Sequence, residues 1–130
     1  MSRKYHFSYD VKNIKEDFNN DYTEARNYLI CVLWHTPIID INNISSYCTS
    51  TLIIEYEEVE PYLFSYLKIN LGKYFFYSIS LVETTDSIYD CISHDPNMSI
   101  DINLKKEMLE ISCSDLGKEI TPYSINSQND

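Results

Sequence analysis

The sequence predicts one domain of the α+β class, with a four-stranded antiparallel sheet carrying two helices on one face. Four segments alternate apolar and polar residues with the period of two that is typical of half-buried strands. Two other segments repeat apolar residues at the spacing of an amphipathic helix. Along residues 4–83 these segments follow the order strand, helix, strand, strand, helix, strand. A further segment, residues 84–130, is expected to form a C-terminal extension.

The first strand is predicted at residues 4–11, KYHFSYDV. Successive side chains of a strand point to opposite faces, so the apolar positions form one face and the polar positions form the other. The apolar positions are Tyr5, Phe7, Tyr9 and Val11. His6, Ser8 and Asp10 are therefore expected on the opposite face.

The first helix is predicted at residues 22–34, after a polar segment that is typical of a turn. Asp21 suits its N-cap, and Glu24 suits the capping-box position three residues later. Its apolar stripe consists of Tyr22, Ala25, Leu29, Val32 and Leu33. A second strand is predicted at 35–41, HTPIIDI, followed by turn residues NNISS and a third strand at 47–56.

The second helix is predicted within residues 57–72, EEVEPYLFSYLKINLG. Pro61 suits its first position and Gly72 suits its C-terminal end. The fourth strand is predicted at 73–83, and its inward positions are Phe75, Tyr77, Ile79 and Leu81. This order is the split β-α-β-β-α-β arrangement of a ferredoxin-like sandwich.

Three features are expected in the extension. DSIYDCI (86–92) can add a short strand, and a helix is predicted at about 102–112 with Asp101 as its cap. Leu104, Met108 and Ile111 would form the apolar stripe of that helix. From about residue 118 the polar tail is expected to fray.

Composition excludes several classes of protein. The net charge of −10 disfavours a broad basic surface for nucleic acid. Only two glycines are present, which excludes the glycine-rich phosphate loops of common nucleotide enzymes. No apolar run is long enough for a membrane span, and the N-terminus lacks the apolar region of a signal peptide. The four widely spaced cysteines form no C-x-x-C pair, so reduced thiols in a cytoplasm are expected.

The open face of the predicted sheet is the candidate binding surface. It is mostly small and polar, with two apolar positions that a symmetric dimer would bury. The binding residues predicted on or beside it are His6, Ser8, Lys12, Ile53, Phe76 and Ser78.

Several segments in this order resemble the SinR-like proteins. They are FSYDVKN, DYTEARNYL, LWH, STLIIEY and GKYFFYSISLVE, within about residues 4–83. That family is part of a ferredoxin-like group with the small CRISPR-adaptation endoribonucleases and virulence-associated protein D. The resemblance implies a homodimer with facing sheets. In the nuclease members an acidic residue ending the first strand lies beside the two-fold axis and helps to bind a divalent metal, and Asp10 matches that position.

Two interpretations of Asp10 remain open. As a metal ligand it would serve a Mg²⁺- or Mn²⁺-dependent endoribonuclease, with one carboxylate from each subunit. As a turn residue it would only cap the end of a strand. His6 is likewise either an acid or base near neutral pH or an ordinary strand residue.

The sequence provides no obvious acid–base pair and no phosphate clamp. We therefore expect a non-enzymatic, homodimeric interaction module without a cofactor. Its expected partner is a protein, such as a nucleic-acid-handling complex of a prokaryotic defence system, which it would bind or modulate as a component or as a viral antagonist. The alternative is the endoribonuclease that uses Asp10.

Overall fold

The computed structural model describes residues 3–36, 41–56, 62–84 and 92–122. Its strands and α-helices are β1 Arg3–Val11, α1 Ile14–Phe18, α2 Tyr22–Trp34, β2 Ile44–Cys48, β3 Thr51–Tyr56, α3 Leu63–Leu71, β4 Phe75–Leu81 and α4 Met98–Glu110. The four strands form one antiparallel sheet in the order β2-β3-β1-β4. The predicted α+β class is confirmed.

The core lies between the sheet and the helices on one of its faces. Phe7 on β1 is fully buried, and its register partner on β3, Leu52, is buried as well. Every residue of α2 from Tyr28 to Leu33 is buried, so this helix is covered on all sides in its second half. The alternation of β1 and β3 therefore places side chains as predicted, with the apolar positions towards the helices.

The helix α2 has the predicted bounds and the predicted cap. The Asp21 side chain accepts a hydrogen bond of 2.8 Å from the backbone N–H of Thr23. Glu24 does not close a capping box but accepts a hydrogen bond of 3.2 Å from the Asn19 side chain. Tyr22 was predicted to be part of the apolar stripe, and this is wrong, because its side chain is 67% exposed in the first turn of the helix.

The predicted second strand is wrong. Residues 35–36 form a turn and bend, residues 37–40 lie outside the described residues, and Ile41–Asn43 form a 3-10 turn. The strand β2 is instead Ile44–Cys48, which spans the end of the predicted turn and the first two residues of the predicted third strand, and β3 begins only at Thr51. Serine favours turns because its hydroxyl can bond nearby backbone groups in place of a neighbouring strand. In this hairpin the Ser46 Oγ instead donates to the carbonyls of Cys48 and Thr51, which lie within the β2–β3 pair and its turn.

Three further features differ from the prediction. Residues 14–18, predicted as turn, form the short helix α1. Leu81, predicted to point inward, is 41% exposed at the end of β4. The helix α4 begins at Met98 with Asn97 as its cap, so Asp101 lies inside the helix and is not its cap. Pro61 and residues 86–91 of the predicted extra strand lie outside the described residues.

The segment after α4 is bonded to the helical layer. A disulfide joins Cys113 to Cys31 of α2, which corrects the expectation of reduced thiols throughout. The buried Asn70 side chain accepts a hydrogen bond from Thr121 N–H and donates one to Thr121 C=O. Lys118 Nζ lies 4.9 Å from the centroid of the Phe18 ring. Residues 111–122 are called the C-terminal strap below.

No helix in the described ranges is long and apolar enough to cross a membrane. Disulfides persist in oxidising compartments and are rare in the cytosol. The Cys31–Cys113 bond therefore removes the reason for expecting a cytoplasmic location.

Candidate functional site

Five of the predicted surface residues lie together on the outer face of β1 and β4 and in the turn after β1. They are Ser8, Asp10, Lys12, Phe76 and Ser78, here called the Phe76 patch. Asp10 is the register partner of Phe76, and Ser8 is the register partner of Ser78. The Phe76 side chain is 63% exposed although it lies within a strand. The small side chains of Ser8 and Ser78 beside it leave the ring open on that face.

Lys12 is held against this ring. Its Nζ lies 5.0 Å from the centroid of Phe76, within the range of a cation–π contact. The same Nζ donates a hydrogen bond of 2.7 Å to the backbone carbonyl of Gly72. The positive charge therefore has a fixed place beside the exposed ring, whereas most surface lysines are mobile.

His6 and Ile53 are separated from the patch by a segment of the same chain. Both are half-buried and line a cavity of about 200 Å³ together with Ile92, His94 and Asp95. The His94 ring stacks on Tyr47 of β2 with centroids 4.8 Å apart, and Asn97 N–H donates to the Tyr47 carbonyl. Residues 92–97 thus cover the β2–β3 half of the outer face, and within the described ranges the β1–β4 half is left exposed at Phe76, Ser78 and Ser80.

Asp10 is exposed, and β1 continues past it to Val11. Within the described residues it makes no hydrogen bond and no ion pair. No group of three or more His, Cys, Asp or Glu side chains that could hold a metal occurs in that part of the chain. One chain therefore supplies a single carboxylate here, and a metal at Asp10 would need ligands from a second copy.

A cleft that the sequence did not reveal lies at the end of β1. Its volume is about 350 Å³, and it opens between β1, the turn after β2, α2 and α4. Arg26 Nε lies 3.4 Å from Glu107 Oε2 across this cleft. Burial raises the pKa of the Tyr9 hydroxyl, the Arg26 charge partly opposes this shift, and the Glu107 charge adds to it.

The sequence carries no local signal for this cleft. Tyr9 fits the inward alternation of a strand and was predicted as core. Arg26 and Glu107 are ordinary charged positions on two helices far apart in the chain. The pair could be found only once α4 was placed beside α2.

No protein-family model matches the chain, and neither a curated protein nor a solved structure does.

Proposed function

We propose that this chain is a non-enzymatic interaction module that forms a homodimer through the Phe76 patch. The observation that carries the proposal is an aromatic ring, 63% exposed, at the second position of β4 with the small side chains of Ser8 and Ser78 beside it. Aromatic residues are enriched in protein interfaces, where they fill pockets of the partner. An isolated exposed apolar residue is common, but here the neighbouring serines make the ring accessible from the whole outer face.

We further propose that the fold is ferredoxin-like and related to the SinR-like proteins. The strand order β2-β3-β1-β4 supports this, because the split β-α-β-β-α-β unit arranges its strands in that order. The helices α2 and α3 would be the two crossover helices of that unit. The short helix α1 and the helix α4 are additions to it.

A second copy of this chain is the occupant that the charges of the patch favour. Asp10 and Lys12 both flank Phe76, so the patch is electrically neutral although the chain carries −10. Two copies related by a two-fold axis through this patch can bring Asp10 of each copy towards Lys12 of the other. The pairing would offset the repulsion between two acidic chains at the point of contact.

The endoribonuclease is the second candidate, and the exposure of Asp10 on the same patch favours it. A two-fold axis near Phe76 would also bring the two Asp10 carboxylates near each other, where Mg²⁺ or Mn²⁺ could bind between them. Two points favour the non-enzymatic function. Lys12 already supplies a positive charge beside Asp10, and His6 lies in the cavity covered by residues 92–95 and not beside Asp10.

Replacing Phe76 by Glu is expected to convert a dimer into a monomer, because each interface would bury a carboxylate in place of a ring. The measurement is sedimentation equilibrium over a range of concentrations. The matched control is Ile102→Glu, since Ile102 on α4 is also 63% exposed but lies outside the patch, and this variant should remain dimeric. A wild-type chain that stays monomeric at the highest concentration contradicts the proposal.

The two candidate functions are separated by an assay of labelled RNA and DNA with Mg²⁺ or Mn²⁺. The interaction module is expected to produce no cleavage above a metal-free blank. Cleavage that is lost in Asp10→Asn and kept in Asp115→Asn, an exposed control, would establish the endoribonuclease instead. Cleavage that both variants retain would come from a contaminating nuclease, and the non-enzymatic assignment would stand.

Any partner other than a second copy of this chain is also expected to be a protein. The acidic chain repels the phosphates of nucleic acid, and counterion release requires basic residues that it lacks in number. A basic surface on a nucleic-acid-handling complex fits this charge better.

A further inference from the structure

The cleft exists because β1 is longer than the strand beside it. The last register pair between β1 and β3 is Ser8 with Thr51, and Tyr9 N–H still donates to Ser50 C=O at 3.1 Å. In β1 the odd-numbered residues direct their backbone groups towards β3, while the N–H of Lys12 points to the other side and bonds Tyr74. The N–H and C=O of Val11 therefore point into the space where β3 has ended. Val11 has no register partner on β3.

The cleft is lined by apolar side chains and by groups of both positive and negative charge. Its volume of about 350 Å³ is near the lower limit of roughly 300–1,000 Å³ for small-molecule sites. Ala25 and Ile100 supply apolar surface. The polar side chains around it include Tyr9, Asp10, Arg26, Asn103 and Glu107.

One atom in the wall has no hydrogen-bond donor among the described residues. Glu107 Oε2 is shielded from solvent and forms an ion pair with Arg26 Nε at 3.4 Å, but it accepts no hydrogen bond there, although the Glu107 side chain as a whole is 36% exposed. A buried carboxylate oxygen without a donor is costly, and the cost falls when a positively charged N–H group bonds it. Asp10 adds a second negative charge, so the cleft has one cation and two anions.

We propose that this cleft binds a small zwitterion with the chemistry of an α-amino acid. The α-ammonium group would donate to Glu107, and the adjacent carboxylate would accept from Arg26 and from the Val11 N–H. Both charges of such a molecule are adjacent, as are the charges of Arg26 and Glu107 in the wall. The Tyr9 hydroxyl is protonated at neutral pH, as tyrosine ordinarily is, and can donate to the same carboxylate. Asp10 borders both this cleft and the Phe76 patch, but Arg26 and Glu107, which carry the proposal, lie outside the patch, so the test at Glu107 does not require the dimer.

The probes are the twenty free amino acids, their N-acetyl derivatives, and tripeptides with a free N-terminus, each tested by calorimetry and by NMR of the ¹⁵N-labelled protein. Free amino acids are expected to bind and to shift the amide signals of Val11, Ser50 and Asn103. N-acetylation removes the ammonium charge, so these derivatives should bind at least about tenfold more weakly, the effect of losing one charged hydrogen bond. Binding of the tripeptides alone would overturn the proposal, because a peptide N-terminus has no carboxylate beside its ammonium group.

Glu107→Gln keeps the shape of the side chain and removes its charge, and it should weaken binding by a similar factor. Glu110→Gln is the matched control, because Glu110 is exposed one turn further along α4 and does not line the cleft. Equal affinity for free and N-acetylated probes, or an equal loss in both variants, would overturn the proposal. The same holds if no probe binds at 10 mM, a concentration of the order used to detect weak millimolar ligands.

Discussion

Asp101 joins α4 to the edge of the sheet. Its side chain is only 7% exposed, and Oδ1 accepts a hydrogen bond of 2.9 Å from the backbone N–H of Ser46 on β2. Its other oxygen accepts a bond of 2.8 Å from Lys105 Nζ one turn later in the helix. Since β2 is an outer strand of the described sheet, its N–H groups lack a neighbouring strand on that side. At Ser46 the carboxylate of Asp101 on α4 accepts the hydrogen bond that a neighbouring strand would otherwise accept.

Replacing Asp101 by Ala should lower the free energy of unfolding by about 2–3 kcal/mol, because the buried Ser46 N–H would lose its acceptor. Asp101→Asn retains an oxygen acceptor and should cost about half as much. Urea denaturation measures both values. Asp115→Ala, an exposed control, should stay within about 0.5 kcal/mol of wild type. Equal stability of Asp101→Ala and this control would mean that the contact contributes nothing.

The cap assignment at Asp101 shows the limit of local patterns at the scale of one residue. An acidic residue before an apolar helical stripe is typical of an N-cap, and that is how the sequence was interpreted. Asn97 occupies the cap instead, with its side chain accepting from Ser99 N–H. The partner of Asp101 is 55 residues away in the sequence, and no capping rule contains that information.

At the scale of elements, the C-terminal strap is fastened to the helices at three places. The disulfide links it to α2, Thr121 pairs with Asn70 of α3, and Lys118 lies over two aromatic rings. The linked cysteines are 82 residues apart, so the bond closes a long loop of the unfolded chain. In the chain-entropy description of disulfides, the stabilisation of the folded state increases with the length of the loop that the bond closes.

Reduction of this disulfide should lower the melting temperature by about 5–15 °C, which corresponds to about 2–4 kcal/mol for a domain of this size. The measurement is thermal unfolding with and without dithiothreitol. Cys113→Ala should melt at the temperature of the reduced wild type and should not respond to the reductant. Cys48→Ala, in which an exposed free cysteine is removed, should keep the full response. An intact mass that shows the same number of free thiols before and after reduction would contradict the assignment.

For the whole molecule, periodicity predicted the layers better than the boundaries. β1, α2 and the inward face of β3 follow from alternation and helical spacing, because burial on one side imposes those periods. The displaced strand β2 does not, since its five residues, ISSYC, have a serine at one of the two buried positions and therefore lack an apolar alternation. The cleft and the disulfide depend on contacts of α4 and the strap, and their residues have no common spacing. Asp10 and Phe76 were predicted on the open face from strand alternation, Lys12 was predicted beside it as a basic residue next to the first strand, and the three lie on one surface.

The two helices that cover the sheet are held to each other by a reciprocal pair of tyrosines. Tyr28 of α2 donates to the backbone carbonyl of Asn70 in α3 at 2.7 Å. Tyr66 of α3 donates to the carbonyl of Val32 in α2 at 2.6 Å. Both rings are fully buried, and burial is the main cause that raises the pKa of each hydroxyl well above its usual value of 10.0.

Stability should therefore fall in alkaline solution. A hydroxyl whose pKa is raised by folding binds its proton more tightly in the folded state, so its contribution is complete below the unfolded pKa of about 10 and decreases above it. Each of these tyrosines should lower the free energy of unfolding by about 1.4 kcal/mol per pH unit once the pH exceeds that value. Urea unfolding between pH 8 and about 11.5 measures the slope, and Tyr28→Phe should make it shallower by about 1.4 kcal/mol per pH unit while costing about 1 kcal/mol at neutral pH. Tyr22→Phe is the control at an exposed position and should follow wild type. A stability that stays constant over this range would mean that the buried hydroxyls ionise without opening the contact between α2 and α3.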